Sequence, residues 1–322
     1  MTETIYQIPV DATVFPDSTV ITGVNPNAGR FLIVPSDRVL FPEAANSLDA
    51  AVELRKTLEE MQKASEDGSF TPSNSHVRRF GIQPGAEDVI EQILSRYVKA
   101  CREKKAEEKP FGPGVQFNFL RLSNNGVITT FGNYGLFFAT LVEASKDASY
   151  KQYLLTQGSQ LLGTMQGFFV NLPGTSTIVE TADGKILFVN RGPTAEYAHM
   201  FGQLAAGHHS PERTVKPGTT EVPLEALVAY QISTETGLPT QDISGFKLEG
   251  LAFSTGYELP GTEKIEVLTI ARIDRTIEEV TTSIIEKAAH RWETRAIYTI
   301  RPDEAGRVIA ATFDASKPAG PI

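Results

Sequence analysis

Two adjacent histidines and one arginine are the side chains whose types and spacing point most directly to chemistry. His208 and His209 lie in a glycine-bearing segment, FGQLAAGHHSPE, and Glu212 follows three residues after His209. This spacing suits metal ligation, contact with a ligand phosphate, or a plain structural turn. Arg191 ends a strand-like run beside Gly192, where its guanidinium could bind a phosphate through two hydrogen bonds or stand as an exposed charge.

Other common catalytic arrangements are absent from the sequence. It contains no G-x-S-x-G nucleophile motif, no G-x-x-x-x-G-K-[ST] phosphate loop and no G-x-G-x-x-G opening a βαβ unit. The single cysteine, Cys101, falls on the apolar stripe of a predicted helix and cannot form an intrachain disulfide. We therefore interpret Cys101 as a core residue in a protein of a reducing compartment.

Composition limits the classes of partner. The 322 residues are 41% hydrophobic and 21% charged, as in an ordinary globular protein, and at roughly 100 to 200 residues per domain they predict two domains. A net charge of -9 argues against nucleic acid or an anionic membrane as partner. The amino-terminal residues lack signal-peptide character, and the apolar run from Leu136 to Val142 is too short to span a bilayer. We expect a cytoplasmic protein, with the oligomeric state left open and a homodimer among the candidates.

The first half of the chain predicts a mixed α and β unit. Helical periodicity begins at Ser47, a suitable N-cap, and a second amphipathic helix follows Pro84 and Gly85. Three strand-like segments come next, namely VQFNFLRL, GVITTF and LFFATLV, and then a helix from Tyr150 through Leu162. The turn sequence NLPGTS predicts a boundary, which divides the chain into domains 1–172 and 173–322.

The second half predicts a β-hairpin, a helix, two strands and another helix. Asp183-Gly184 supplies the tight turn between the runs TSTIVET and KILFVNR. The helix begins near Glu221 and ends where Gly237 and Pro239 stop it. The strands FKLEGLAF and VLTIARI and a helix over 276–289 follow.

Four stretches in this order resemble the Nudix hydrolase family: DGKILFVNRG, GQLAAGHHSPE, ALVAYQISTETGL and HRWE. The resemblance covers residues 175–300, less than half of the chain. It implies an α/β (α+β) fold, a Nudix-like αβα sandwich with a mixed sheet over 173–322, preceded by a separate α+β domain over 1–172. A long amino-terminal unit of this kind is also similar to the branch that contains a UDP-glucose diphosphatase.

The resemblance implies a site around the helix that ends at Gly237. In the family, glutamates on one helical face hold Mg²⁺, which neutralises a diphosphate and activates a water molecule. Aligned on Gly237, the last family glutamate falls on Glu235, but the earlier glutamates fall on Thr234 and Gln231, so the Nudix box is degenerate. The sites that the resemblance implies are catalytic Glu235, Glu221 and Glu225, with Mg²⁺ or Mn²⁺ on Glu235 and Glu221, and substrate contacts from Arg191, His208, His209 and Gln231.

Two functions follow from this resemblance. The first is a divergent hydrolase of a nucleoside-diphosphate-linked small molecule, with a nucleotide sugar as one candidate. The second is a catalytically inactive Nudix-fold protein that binds a nucleotide-type ligand or a partner protein. The missing carboxylates motivate the second function, since a hard divalent cation binds mainly through anionic oxygens. The first function requires ligands from elsewhere, such as Glu212, Glu221, Glu225 or a carboxylate of the later strands.

Overall fold

The computed structural model describes residues 18–22, 29–66, 70–106, 114–123, 126–191, 201–216, 218–254, 264–289 and 294–300. The strands are β1 (Ser18–Thr22), β2 (Arg30–Ile33), β3 (Val115–Ser123), β4 (Gly126–Asn133), β5 (Gly174–Thr181), β6 (Ile186–Arg191), β7 (Phe201–Gln203), β8 (Ala205–His208), β9 (Glu221–Pro223), β10 (Ile243–Ser254), β11 (Lys264–Ile273) and β12 (Thr294–Ile300). The helices are α1 (Pro42–Asn46), α2 (Leu48–Ala64), α3 (Glu87–Ala106), α4 (Tyr134–Phe137), α5 (Glu143–Lys146), α6 (Ala148–Gln157), α7 (Pro211–Thr214), α8 (Leu224–Thr236) and α9 (Ile277–Lys287), with π-helical turns over Phe138–Val142 and Gly158–Leu162.

A mixed sheet of eight strands dominates the described part of the second half. Its order is β1-β10-β11-β5-β6-β12, with β7 beside β6 and β8 beside β5. Strands β11 and β5 run parallel and the other pairs are antiparallel. The predicted hairpin of β5 and β6 is confirmed, with Gly184 at a φ of 71° in its turn. The α+β class and the mixed sheet are confirmed as well.

A smaller sheet joins the two halves of the chain. Its order is β3-β4-β2-β9, so β9 of the second half pairs with β2 of the first half. In return, β1 pairs with β10 at the edge of the large sheet. The two halves therefore complete each other's sheets. That residues 1–172 and 173–322 form separate domains stays a prediction.

Helices of the first half enclose one hydrophobic cluster. It holds Leu58 of α2, Ile93 and Tyr97 of α3, and Leu154 of α6. The Ser47 side chain caps α2 by accepting from the Ala50 amide, as predicted. Cys101 is buried in the same cluster, which confirms its reading as a core residue, and burial raises the pKa of its thiol to about 12.

The segment LFFATLV is helical, so its prediction as a strand was wrong. The Asn133 side chain caps the helix by accepting from the Leu136 amide at 3.1 Å. The chain then continues through α4, the first π-helical turn and α5. Leu136, Phe137 and Leu141 are all buried, so the segment is apolar on most sides and shows the continuous pattern that a buried strand would also show.

Helix α8 packs into a second hydrophobic cluster, which it shares with both sheets. Leu227 and Ile232 of α8 lie there with Phe31 of β2 and Ile265 of β11. The helix begins at Leu224 rather than near Glu221, because residues 221–223 are bound to β2 as a strand. Its predicted end is confirmed, since Gly237 adopts a φ of 72° directly after Thr236.

Among the helices of the described ranges, none combines the length and the apolar character that a membrane-spanning helix needs.

Candidate functional site

A buried chain of hydrogen bonds joins α8 to the large sheet. The Thr175 hydroxyl of β5 donates to the Gln231 Oε1 of α8 at 2.7 Å and lies 2.9 Å from the His209 Nε2. Thr175, His209 and Gln231 are 0%, 4% and 8% exposed. Because the hydroxyl proton goes to Gln231, His209 must donate through its Nε2–H to Thr175. Two of the predicted substrate residues, His209 and Gln231, are thus brought together as partners in the protein interior.

Burial also determines the charge of His209. Desolvation lowers the pKa of its imidazole from 6.5 to about 4. Its ring lies 6.3 Å from the Phe31 ring, in an edge-on arrangement. His209 is therefore neutral at physiological pH, and the whole network of hydroxyl, amide and imidazole carries no charge.

The neighbouring histidine faces a different environment. His208 is in register with Gly174 of β5, and its ring lies 6.0 Å from Tyr134 and 5.9 Å from Phe137. Gly174 is also in register with Glu266 of β11, and its bare α-carbon leaves room for the Glu266 carboxylate. His208 and Glu266 thus flank a glycine on the sheet face opposite to Thr175, since neighbouring residues of a strand point to opposite faces.

The histidine and glutamate cluster suggested by the segment GHHSPE does not form. His208 and His209 contact different residues, as described above, and the carboxylate of Glu212 lies 3.3 Å from the Nε of Arg55 on α2. The physical reason is the extended backbone, which sends consecutive side chains in opposite directions.

The three predicted catalytic glutamates do not converge. Glu221 lies in β9 and pairs with Arg30 across the small sheet at 2.6 Å. Glu225 is exposed in the first turn of α8, whereas Glu235 is partly buried in its last turn. At a rise of 1.5 Å per residue, about 15 Å of helix separates Glu225 from Glu235.

The distance between the predicted glutamates decides whether they could hold the implied Mg²⁺ or Mn²⁺ together. Ligand oxygens lie about 2.0 to 2.1 Å from Mg²⁺, so two oxygens that bind the same ion must lie within about 4.2 Å of each other. Glu235 cannot share an ion with Glu225, and Glu221 is a further three residues before α8 and bound to Arg30. Across the described residues, no three histidine, cysteine, aspartate or glutamate side chains group as a metal site would require. The predicted ligands, Glu235 and Glu221, therefore do not fit a shared Mg²⁺ or Mn²⁺ ion.

Two other predicted elements of the site are described in part or not at all. Arg191 is the last residue of β6 and is in register with Thr294 of β12, but its side chain lies outside the described part of the structure. The HRWE motif, residues 290–293, lies outside the described residues as well.

Sequence reasoning missed three residues of this region: Thr175, Glu266 and Tyr134. Thr175 and Thr177 alternate along β5 and are both fully buried, which is unusual for polar residues of a central strand. That alternation within TSTIVET was the available signal. The contacts of Glu266 and Tyr134 depend on the pairing of distant segments, so no local pattern marks them.

Comparison with known proteins gives matches among solved structures alone. No family model matches the sequence, and no curated protein matches it. The matched structures include DR0079 from Deinococcus radiodurans, a Nudix hydrolase from M. smegmatis, RenU, and the C. elegans Ap4A hydrolase. They are 11%, 12% and 10% identical, with TM-scores of 0.29, 0.27 and 0.26. The matches cover 44%, 44% and 45% of this chain and 73%, 81% and 96% of the other chains. These scores are too low for a family or an activity to follow from them.

Proposed function

We propose that this protein is a Nudix-like ligand-binding or interaction protein that has lost metal-dependent diphosphate hydrolysis. One observation carries the proposal: Gln231, at a position where the family pattern has a glutamate, is buried in a neutral network with Thr175 and His209. A carboxylate that holds a metal must present its charged oxygens to the ion. Gln231 instead uses its amide oxygen to accept from the protein's own hydroxyl.

The placement of the glutamates supports the same proposal. Glu235 remains at the helix end, where the pattern has its last glutamate, but Glu221 and Glu225 lie too far away to complete a metal site with it. A single carboxylate binds a hard divalent cation weakly, because affinity depends on the number of anionic oxygens. The proposal keeps the ligand contacts that the resemblance implies, with a nucleotide-type ligand bound by His208 and Arg191.

Thermal unfolding with added ligands tests the proposal. We expect that Mg²⁺ or Mn²⁺ alone leaves the Tm unchanged, whereas a bound nucleotide-type ligand raises it by mass action. In Glu235→Gln, metal alone should still leave the Tm unchanged and the nucleotide-type ligand should still raise it. The matched control is Glu286→Gln, an exposed carboxylate on α9. A rise in Tm with metal alone, lost in Glu235→Gln and kept in Glu286→Gln, would contradict the proposal.

A divergent hydrolase is the second candidate, and one observation favours it. The carboxylate of Glu266 lies against Gly174, beside the strand that carries His208, and so offers an acidic group that the helix pattern does not include. Under this alternative, a nucleoside-diphosphate-linked molecule such as a nucleotide sugar is hydrolysed with Mg²⁺ or Mn²⁺. Turnover of any member of a panel of nucleoside diphosphate sugars and dinucleotides, abolished by Glu266→Gln, would establish it over the first proposal.

A further inference from the structure

A cavity of about 350 Å³ lies between the first turns of α8 and strand β10. Val228 and Ala271, both buried, are among its lining residues, and so are the partly exposed Ile243 and Phe246. This volume is within the range of small-molecule sites, which are typically apolar with a few polar groups.

An irregularity in β10 creates the apolar lining. Ser244 is in register with Arg272 but Lys247 with Ile270, so two residues of β10, Gly245 and Phe246, oppose Ala271 alone. In a regular strand, Ile243 and Phe246 would face opposite sides of the sheet. The extra residue, accommodated by Gly245 at a φ of 58°, brings both side chains to the cavity.

Small residues on α8 leave the space open. Ala226 and Ala229 are three residues apart and therefore lie on the same side of the helix, where both line the cavity. Larger side chains at these positions would occupy the volume between α8 and β10. The cavity therefore exists because Ala226 and Ala229 are small and face the irregular part of β10.

Two polar side chains of this cavity, Glu225 and Ser244, present hydrogen-bond acceptors, and Thr240 adds a hydroxyl that can donate or accept. Glu225 is exposed and is the one ionisable residue in the described lining. Ser244 also lines the cavity, and its hydroxyl donates its proton to the Asp274 carboxylate at 3.0 Å, so its oxygen is left to accept. An ammonium group can satisfy these acceptors, whereas a phosphate or carboxylate would be repelled by Glu225.

We propose that this cavity binds a small apolar amine, with the apolar group against Ile243 and Phe246 and the ammonium group at Glu225. The inference goes beyond the proposed function, because it holds whether or not the chain hydrolyses diphosphates. It also gives Glu225 a role that the helix pattern did not imply.

Three probes of similar shape and different charge test the ligand class on the full chain. They are phenylethylamine, phenylethanol and phenylpropanoate, with affinities measured by NMR titration. Because an exposed ion pair contributes modestly, we expect phenylethylamine to bind about two- to fivefold more tightly than phenylethanol. Phenylpropanoate should bind most weakly. Equal affinity for all three probes, or no binding of phenylethylamine, would overturn the proposal.

Variants of the lining residues locate the binding. Glu225→Gln should remove the preference for the amine, whereas Glu286→Gln on α9 should keep it. Ala229→Leu should abolish binding of all probes by filling the cavity. Ala226→Leu, at an exposed position, provides the same test should Ala229→Leu fail to fold. Binding that persists in a folded leucine variant, or an amine preference that persists in Glu225→Gln, would refute the site. Neither result depends on metal or on diphosphate hydrolysis.

Discussion

Thr175→Val tests the buried network on which the proposed function depends. Valine retains the shape of threonine but removes the hydroxyl, so the His209 Nε2 and the Gln231 Oε1 both lose a partner in the protein interior. Leaving one buried polar group unsatisfied costs about 1 to 3 kcal/mol, so with two such groups we expect Thr175→Val to lower the free energy of unfolding by about 2 to 6 kcal/mol. Urea denaturation followed by circular dichroism measures this change.

Thr177→Val is the matched control for this substitution. Thr177 is equally buried on the same strand, but among the described residues its hydroxyl bonds to one side chain, Thr269, at 2.7 Å. We expect a smaller loss, about 1 to 3 kcal/mol. Adding Gln231→Leu to Thr175→Val should recover part of the lost stability, because it removes one unsatisfied group. A cost for Thr175→Val no larger than that of Thr177→Val, with no coupling to Gln231→Leu, would show that Gln231 is not held in a buried network.

Three further predictions concern His209, Gly237 and Glu221. Burial lowers the pKa of His209 from 6.5 to about 4, so the unfolded state binds more protons than the folded state between these pH values. The free energy of unfolding should therefore fall by about 3 kcal/mol as the pH falls from 6.5 to about 4. His209→Asn should flatten this dependence, as measured by urea titrations at several pH values. Gly237→Ala should lower the free energy of unfolding by more than about 2 kcal/mol, because the added Cβ would lie 2.5 Å from the Lys287 Cβ. Gly184→Ala should cost about 1 kcal/mol, because Gly184 has a similar φ but open space around the added carbon. Equal shifts in Tm for the two variants would contradict this comparison. Glu221→Gln should lower the free energy of unfolding by less than about 1 kcal/mol, since its ion pair with Arg30 is exposed, and a loss of metal affinity in a calorimetric titration would instead restore Glu221 as a ligand.

Local signals predicted the elements whose ends are set by local chemistry. The turn at Gly184, the cap at Ser47 and the end of α8 at Gly237 each depend on residues adjacent in sequence, and all three are confirmed. The LFFATLV segment was assigned wrongly because burial on most sides removes the periodicity that separates a helix from a strand. The start of α8 was also displaced, because residues 221–223 take part in a pairing with β2 that lies far away in sequence.

The candidate site was harder to predict because its geometry depends on strand register. Glu221 and Glu235 are candidates of the same chemistry in the sequence, yet one pairs with Arg30 in the small sheet and the other lies at the far end of α8. His208 and His209 are adjacent but contact Tyr134 and Thr175 respectively. Residue type indicates what chemistry a side chain can do, whereas convergence is decided by pairings between distant segments.

The uncharged amide at position 231 and the burial of its hydrogen-bond network are physically linked. Gln231 has nearly the size of glutamate but no charge, so its oxygen can accept from Thr175 in the interior without a cation as partner. The low pKa of His209 has the same origin, because the surroundings that favour a neutral amide also disfavour an imidazolium. A carboxylate at position 231 would bring a charge into this neutral setting and would need a cation to compensate it. The neutral network of Thr175, His209 and Gln231 therefore adds to the hydrophobic packing between α8 and the sheet, and Gln231 presents no charged oxygen to a divalent metal.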